Sequence, residues 1–349
     1  MDFTFDETQQ AVAGLAATVL RAEPDHARVE HALASEAGYD ETLWKAMAQA
    51  GLLALAVAES LGGDGMGPVE VAAVLTEVGR QNLPVPAFAT LSLGVLPIVA
   101  LGSDEQQRAL LPEVADGRIL TAALRDTSGT STVVASGAIT GSKTGVPYAA
   151  QAHRVLVAVG TEVYLVDPHG AGVTLTRTPS STHAPEYALT LDGAPAELLG
   201  SDGARTLERY ALAGAAALAD GVIAGGLALT AEHVRTREQF DKPLATFQAV
   251  AGQVADIYIV ARTVNLIALS ANWRLANGLD ADDDLDIAAY WLASQLPAAL
   301  QSSHHLHGGL GIDITYPLHR YYSHAKDLAR FVGGAQARLD QIGARCSSN

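Results

Sequence analysis

The densest group of side chains with chemical potential is a set of histidines near the end of the chain. The set comprises His304, His305, His307, His319 and His324. Imidazole is a common metal ligand, and His304 and His307 are spaced to share one face of a helix. No cysteine or carboxylate in the sequence completes a recognisable ligand pattern around them. We therefore predict no metal site here.

Three other sequence features could indicate a functional site, but each has a structural explanation or lacks the pattern that the function requires. The acidic run at 282–286 lacks the glycine and the distal glutamate of a calcium-binding loop, so it predicts a solvated helix start. No strand pattern precedes the glycine-rich run at 62–67, which argues against a dinucleotide-binding fingerprint. Cys346 is the single cysteine, so no intramolecular disulfide can form, and its place near the end makes it a poor nucleophile candidate.

Composition restricts the partners of the 349-residue chain. A formal charge of −16 argues against binding to nucleic acid or to an anionic membrane, because such surfaces require clustered cations. The first residues lack the basic and apolar segments of a secretory signal. The longest apolar stretch, at 91–101, is too short and too interrupted by glycine and proline to span a bilayer. We predict a cytoplasmic protein.

The periodicity of apolar residues divides the chain into three parts. Helical spacing predicts helices such as 42–55 in the first part, and four longer ones at 206–235, 245–277, 282–304 and 316–341 in the last. Between them, β-branched runs predict strands at 131–136, 153–159, 162–166, 172–176 and 187–191, with turns at 167–170 and 191–195. The fold class is therefore α+β and mostly α. The predicted domains are an N-terminal helical domain at 1–116, a β domain at 117–200 and a C-terminal helical bundle at 201–349.

Two long motifs in the last part are specific. The first runs Arg-Thr-Arg-Glu-Gln-Phe-Asp-Lys-Pro-Leu from Arg235 and continues through Phe247-Gln248 to Ala255-Asp256. The second runs His-Leu-His-Gly-Gly-Leu-Gly-Ile from His305, followed by Tyr-Pro and Ala-Lys elements. Together, in this order, they resemble the signatures of the acyl-CoA dehydrogenase family.

The resemblance implies a helical N-terminal domain, a middle β domain and a C-terminal four-helix bundle. It also implies FAD bound between subunits, with the adenine diphosphate against a neighbour's bundle. The residues that match this donated set are Arg237, Gln239, Phe240, Gln248, His305, Gly308 and Gly309. A guanidinium suits a pyrophosphate, and paired glycines let backbone amides approach closely. The alternatives are that Arg237 joins a surface ion pair and that Gly308 and Gly309 merely end a helix.

The family's catalytic glutamate is missing from its usual place. The family uses it to remove the α proton of an acyl-CoA thioester while a β hydride passes to the flavin. Counting from Ala325-Lys326 places Val332 at that position. A minority of the family carries the glutamate on the first helix of the C-terminal domain, where this sequence has Ala211. Glu208 lies one helical turn before Ala211 and is a weak candidate base, whereas Asp220 lies well after it; the alternative is that Glu208 starts an exposed helix.

The middle domain departs from the family as well. The stretch expected to hold the flavin ring reads Ala-Ala-Leu-Arg-Asp-Thr-Ser-Gly-Thr-Ser from Ala122, and no tryptophan follows before Trp273. The chain thus resembles the shorter, base-lacking subunit of the heterotetrameric acyl-CoA dehydrogenases with which actinobacteria degrade steroid side chains. That resemblance implies a partner subunit that carries the base. The alternatives are a self-sufficient homo-oligomer that uses Glu208 and a non-catalytic scaffold.

Overall fold

The N-terminal part is helical. The structure, a computed structural model, describes residues 4–21 and 26–348. Its first helices are α1 (Glu7–Leu20), α2 (His26–Ala34), α3 (Glu41–Gln49), α4 (Pro68–Gln81), α5 (Leu96–Leu101), α6 (Asp104–Leu110) and α7 (Pro112–Ala115). A π-helical stretch, Phe88–Val95, leads into α5. The helix predicted at 42–55 ends at Gln49 instead, because Gly51 adopts a positive φ of 77° and starts a series of turns.

The middle part is a sheet that positions one wall of the site. Its strands are β1 (Ile119–Ala123), β2 (Arg125–Asp126), β3 (Val133–Ala135), β4 (Ala138–Pro147), β5 (Ala152–Val159), β6 (Glu162–Val166), β7 (Val173–Thr178) and β8 (Glu186–Gly200). The main order is β1-β5-β6-β8-β4-β2, with β3 beside β4 and β7 beside β8. β1 pairs with β5 in parallel, and the other pairs are antiparallel.

The turn predicted at 191–195 is wrong. β8 continues through these residues, and the irregularity lies in its register, where Ile139 pairs with Ala194 but Gly141 pairs with Leu191. Gly193 takes a positive φ of 63° within this bulge. The bulge lets one strand pair with β4 and β7 in its first half and with β6 in its second half. The turn predicted at 167–170 is confirmed, because the Gly170 amide donates to the Asp167 carbonyl at 3.0 Å.

The C-terminal part contains a long central helix and a short hairpin. Its elements are α8 (Gly203–Thr236), β9 (Glu238–Gln239), β10 (Lys242–Pro243), α9 (Gln248–Ala276), α10 (Asp282–His307), α11 (Leu318–Phe331) and α12 (Ala335–Ser348). The single helix predicted at 316–341 is wrong. It is divided into α11 and α12 because Gly333 and Gly334 adopt positive φ angles of 94° and 85°.

The helix α8 forms the centre of the molecule and packs most extensively against α4. Small residues permit the close approach: a Cβ on Gly221 would collide with the backbone of Thr76, and one on Gly79 with the backbone of Leu218. Both α8 and α9 are long and apolar enough to cross a membrane by length and composition alone. The most apolar 18-residue window of α8 is 78% buried, so packing within the protein accounts for its composition. The corresponding window of α9 is only 28% buried, so most of it is not covered by the single chain.

Candidate functional site

The hairpin that follows α8 presents an exposed aromatic side chain in a strained backbone conformation. Phe240 and Asp241 form the turn between β9 and β10, with φ angles of 53° and 61°. A bulky residue in this left-handed region costs roughly 1–2 kcal/mol, and the Phe240 side chain is also 85% exposed. Strain and exposure together indicate a residue held for contact with something outside the chain.

Arg237 lies immediately before this hairpin. Its backbone amide donates to the His233 carbonyl at 2.8 Å, and its carbonyl accepts from the Leu244 amide at 2.8 Å, so its position is fixed. Within residues 4–21 and 26–348, its guanidinium makes no ion pair or hydrogen bond. The nearby Arg235, in contrast, pairs with Glu232. Arg237 therefore presents an unpaired positive charge at the surface. The alternative interpretation, in which Arg237 joins a surface ion pair, does not fit the described residues.

Two further predicted residues lie beside the same hairpin. The Gln239 side chain donates to the Glu238 carbonyl at 2.9 Å, and Gln248 is exposed in the first turn of α9. Phe247, just before α9, has its ring 6.2 Å from that of Phe240 in an edge-to-face contact. The hairpin thus brings Arg237, Gln239, Phe240 and Gln248 to one surface.

The second motif lies close to the first through a pair of stacked histidines. The rings of His233 on α8 and His307 on α10 are 4.3 Å apart and nearly parallel, at 20°. His307 is buried, with Nδ1 2.8 Å from the Ser303 carbonyl and Nε2 3.2 Å from the Tyr316 hydroxyl. His233 lies four residues before Arg237 of the first motif, and Gly308 of the second motif directly follows His307. The stacked rings therefore hold the two motifs close together in space.

The glycines after this stack leave open space. Gly308 has a positive φ of 57°, and a Cβ on Gly308 or Gly309 would meet no heavy atom of the described chain within 4 Å. His305 is exposed beside them. Burial lowers the pKa of His307, and burial together with His307 and Arg237 lowers the pKa of His233. The shifts favour the neutral form of both histidines, so the positive charge of this edge comes from Arg237 and from Lys242, whose Nζ lies 4.3 Å from the centre of the Phe247 ring.

This edge fits a dinucleotide diphosphate. It offers an unpaired guanidinium, an exposed aromatic ring and an open glycine pair whose backbone can be approached. In the part of the chain that the structure describes, no group of three or more His, Cys, Asp or Glu side chains could hold a metal ion. The absence of a metal and the roles of the predicted site residues stay predictions.

The position of the missing base lies in a separate cavity of about 690 Å³. Val332 directly follows α11 and is fully buried, and Ala211 on α8 lines the same cavity. The structure therefore brings both family positions for the glutamate to one place. Val332 and Ala211 have no group that can accept a proton there.

Glu208 lines this cavity, but an arginine holds it. Its carboxylate lies 3.6 Å from Nη1 of Arg338, and its side chain is 48% exposed. Arg338 is buried and also donates to the Val332 carbonyl and, at 2.8 Å, to the Gln341 side chain. Asp220 lies elsewhere in the helical bundle, where it accepts from Asn265 at 3.0 Å and burial raises its pKa.

The segment expected to hold the flavin ring is occupied by contacts within the chain. Asp126 pairs with Lys143 at 2.7 Å and accepts from Thr132 at 2.6 Å. Arg125 donates to the Arg330 carbonyl at 2.8 Å and lies over the ring of Phe331 at 5.6 Å. Burial, followed by the charges of Arg338 and Arg330, lowers the pKa of Arg125 to about 10.

The sequence reasoning missed Arg125 and Arg338. Arg125 stands in the stretch from Ala122 that was compared with the flavin-ring segment, but no role was predicted for it; Arg338 belongs to no motif, and the two lie more than 200 positions apart in the sequence. Only the closure of the sheet against α11 and α12 brings both to the cavity. The sequence features that pointed to this place were the missing proton acceptor at Val332, the alternative positions Ala211 and Glu208, and the altered stretch from Ala122.

Comparison with known proteins decides the family. The model of the acyl-CoA dehydrogenase N-terminal domain matches residues 6–118, and that of the C-terminal domain matches residues 205–347. The chain belongs to the acyl-CoA dehydrogenase family. Acyl-CoA dehydrogenases are FAD-dependent oxidoreductases, so the exposed edge around Arg237 has a suitable ligand in FAD.

Individual acyl-CoA dehydrogenases match nearly the whole chain. Acyl-CoA dehydrogenase FadE28 of Mycobacterium tuberculosis is 46% identical, over 99% of both chains. A chain of the ChsE4–ChsE5 complex from Mycobacterium tuberculosis is 33% identical, covers 100% of both chains and has a TM-score of 0.93. A chain of the Tcur3481–Tcur3483 steroid acyl-CoA dehydrogenase is 34% identical, with a TM-score of 0.93 and coverage of 98% of this chain and 99% of that one. The predicted fold class is confirmed.

Proposed function

We propose that this chain is one subunit of an acyl-CoA dehydrogenase made of two unlike chains. It supplies the surface that holds the adenine diphosphate of FAD, and the partner supplies the flavin-ring pocket and the catalytic glutamate. The observation that carries this proposal is the exposed, strained Phe240 beside the unpaired Arg237. Such a surface costs stability in the isolated chain and is useful once a ligand covers it.

The chemistry explains the need for a partner. Dehydrogenation removes a proton from Cα and a hydride from Cβ of the acyl-CoA thioester, which leaves a Cα=Cβ double bond. When bound, FAD supplies the hydride acceptor. The Arg237 guanidinium is suited to hold the diphosphate, and the open backbone at Gly308 and Gly309 lets it approach. The proton requires a carboxylate within hydrogen-bond reach, and Val332 has none to offer.

The substrate class follows from the relatives. A steroid acyl-CoA dehydrogenase and a two-chain complex are among the structures most similar to this chain, both with TM-scores of 0.93. We infer that the assembled enzyme oxidises the CoA thioester of a bulky acyl group, such as a steroid side chain. A cytoplasmic location, and the absence of nucleic-acid and membrane partners, remain predictions from composition.

The self-sufficient alternative depends on Glu208. In that case Glu208→Gln abolishes turnover, because the amide cannot accept the α proton. In the two-chain enzyme the same substitution leaves turnover by the complex within about twofold, because the partner carries the base. The position of Glu208 favours the two-chain enzyme, since its carboxylate lies 3.6 Å from Nη1 of Arg338 and faces a cation rather than an open substrate site.

The test of FAD donation is Arg237→Gln in the co-purified complex. We expect the FAD affinity of the complex to fall by roughly tenfold or more, because a charge-assisted contact to the diphosphate is lost. Arg235→Gln is the matched control, since Arg235 lies two residues earlier and pairs with Glu232. Unchanged flavin occupancy in Arg237→Gln would exclude the proposed half-site and favour a scaffold.

A further inference from the structure

The cavity that surrounds Val332 is lined by an unusual number of cations. Arg125 comes from the sheet, Arg205 from the first turn of α8 and Arg338 from α12. The chain as a whole has a formal charge of −16, so this concentration of guanidinium groups runs against its composition. The volume of about 690 Å³ lies within the range of ordinary small-molecule sites.

Arg125 is the cavity arginine for which the described residues provide no ion-pair partner. Its Nη1 donates to the Arg330 carbonyl at 2.8 Å, and a Cβ on Gly333 would lie 3.7 Å from the same nitrogen. It therefore lies directly beside the position of the missing base. No carboxylate forms an ion pair with it within the described ranges 4–21 and 26–348. Burial and then the charges of Arg338 and Arg330 lower the pKa of Arg125, and the carboxylates of Glu208 and Glu186 oppose this shift only in part.

The acidic groups around the cavity neutralise its arginines only in part. Glu208 lies 3.6 Å from Arg338, which is longer than a hydrogen bond, and Arg205 pairs with Asp282 of α10. Asp202 is exposed at the rim. The side of the cavity formed by Arg125 and Arg338 thus has more positive charge than Glu208 neutralises.

We propose that this cavity binds a phosphate ester of nucleotide size, with its phosphate between Arg125 and Arg338. Guanidinium groups match phosphate oxygens in geometry and stay charged, and two of them suit a dianion. A bound phosphate would relieve the repulsion between the two arginines that burial strengthens. The place where the family keeps a proton acceptor becomes an anion site in this chain. This cavity is separate from the Arg237 edge, and phosphate binding in it does not depend on the proposed FAD donation.

The test is isothermal titration calorimetry of the full-length chain with inorganic phosphate and with ADP. We expect both to bind, and Arg125→Gln to weaken both by about tenfold, the loss typical of one charge-assisted contact. Glu208→Gln should strengthen binding, because it removes the carboxylate that competes for Arg338. The matched control is Arg118→Gln, an exposed arginine outside the cavity that should leave both affinities unchanged.

Three outcomes would overturn the proposal. The first is no binding of either probe by the wild-type chain. The second is binding that is unaffected by Arg125→Gln and by Glu208→Gln; because the second variant keeps every arginine, a folding defect in the first cannot hide this result. The third is ADP binding that survives Arg125→Gln but is lost in Arg237→Gln, which would assign the nucleotide to the hairpin edge. If Arg237→Gln leaves the flavin occupancy of the complex unchanged while Arg125→Gln still weakens phosphate binding, the proposed function is overturned and the anion site stands.

Discussion

Single residues give the most direct support for the proposal that an external ligand covers the surface around Arg237. Phe240 has a conformation that few bulky residues adopt, and its ring is exposed to solvent. Neither feature helps the isolated chain to fold. The same residue type at the same place becomes useful if a cofactor packs against the ring.

Replacement of Phe240 by Asn should therefore change stability and function in opposite directions. Asn tolerates the left-handed region and suits a two-residue hairpin turn, so we expect the free energy of unfolding to rise by about 0.5–1 kcal/mol. We expect the flavin occupancy of the complex to fall, because the aromatic contact is lost. Chemical denaturation and visible absorbance measure the two effects.

Asp241→Asn, at the neighbouring position of the same turn, is the control. Its φ of 61° is also in the left-handed region, and it is not among the predicted flavin contacts. We expect flavin occupancy to be unchanged. A parallel loss in both variants would mean that the turn, rather than the Phe240 ring, affects the cofactor.

His324 should give the chain a dependence of stability on pH. Burial lowers its pKa from 6.5 in the unfolded chain to about 4, with Asp327 opposing the shift. As the pH falls below 6.5 the unfolded state takes up a proton that the folded state resists, so stability is lost. One such histidine costs about 2 kcal/mol at pH 5 relative to pH 7.5.

His324→Gln should reduce this loss by about the same amount. Urea unfolding at pH 7.5 and pH 5.0, for both proteins, measures the difference. The other buried histidines remain in both proteins, so their contributions cancel. An equal loss of stability in wild type and variant would show that His324 does not resist protonation in the folded chain.

At the scale of elements, periodicity predicted most helices because they bury one face. The prediction failed where local backbone geometry decides, at Gly51 and at Gly333 and Gly334, which end helices through positive φ angles. It also missed β1 and β4. Every residue of β1 is buried, so the strand lacks the alternation by which a strand is recognised, and β4 contains glycine and proline and depends on pairing with β8.

The candidate site was predictable to the extent that it lies in motifs. Arg237 and Gly308 stand within two recognisable segments, and the His233–His307 stack that joins them was not anticipated. Arg125 and Arg338 could not be found from spacing, because they line one cavity only once the chain is folded. The sequence indicated that the family's catalytic glutamate is missing from this cavity, and the structure shows that Arg125 and Arg338 line it.

The attachment of α11 to the sheet should be a major source of local stability. Asp327 accepts from the Ser181 and Thr182 amides at 2.9 Å and from the Thr182 hydroxyl at 2.8 Å. We expect Asp327→Ala to lower the free energy of unfolding by roughly 2–4 kcal/mol, because three donors lose their partner. Thermal and urea unfolding measure the loss.

Asp340→Ala on α12 is the matched control. Asp340 is exposed and accepts from the Gln336 side chain at 2.9 Å. We expect a change of less than about 0.5 kcal/mol. A similarly small effect of Asp327→Ala would mean that α11 is held by its apolar face rather than by this carboxylate.

At the scale of the whole molecule, α9 presents an apolar face without cover in the single chain. Tyr258, Ile259 and Leu266 are 55%, 58% and 48% exposed. A surface of this kind marks a protein–protein interface. It supports a chain that functions in an assembly, in agreement with the two-chain complex among the similar structures.

Ile259→Glu should therefore weaken assembly. We expect the dissociation constant of the complex to rise by about tenfold or more, because a charge would be buried at the interface. Light scattering coupled to size exclusion measures the mass. Val133→Glu is the control, since Val133 on the sheet is similarly exposed at 55%. If both variants weaken assembly equally, or if neither does, the α9 face is not the interface with the partner.

The central claim is that the chain provides one half of a flavin site and lacks the other. The most direct measurement is the visible absorption spectrum of the chain purified alone and of the chain co-purified with a partner that carries the glutamate, each before and after addition of an acyl-CoA. We expect a colourless chain alone, and a yellow complex that bleaches with substrate. A yellow chain that bleaches on its own would contradict the claim and return Glu208 to consideration as the base.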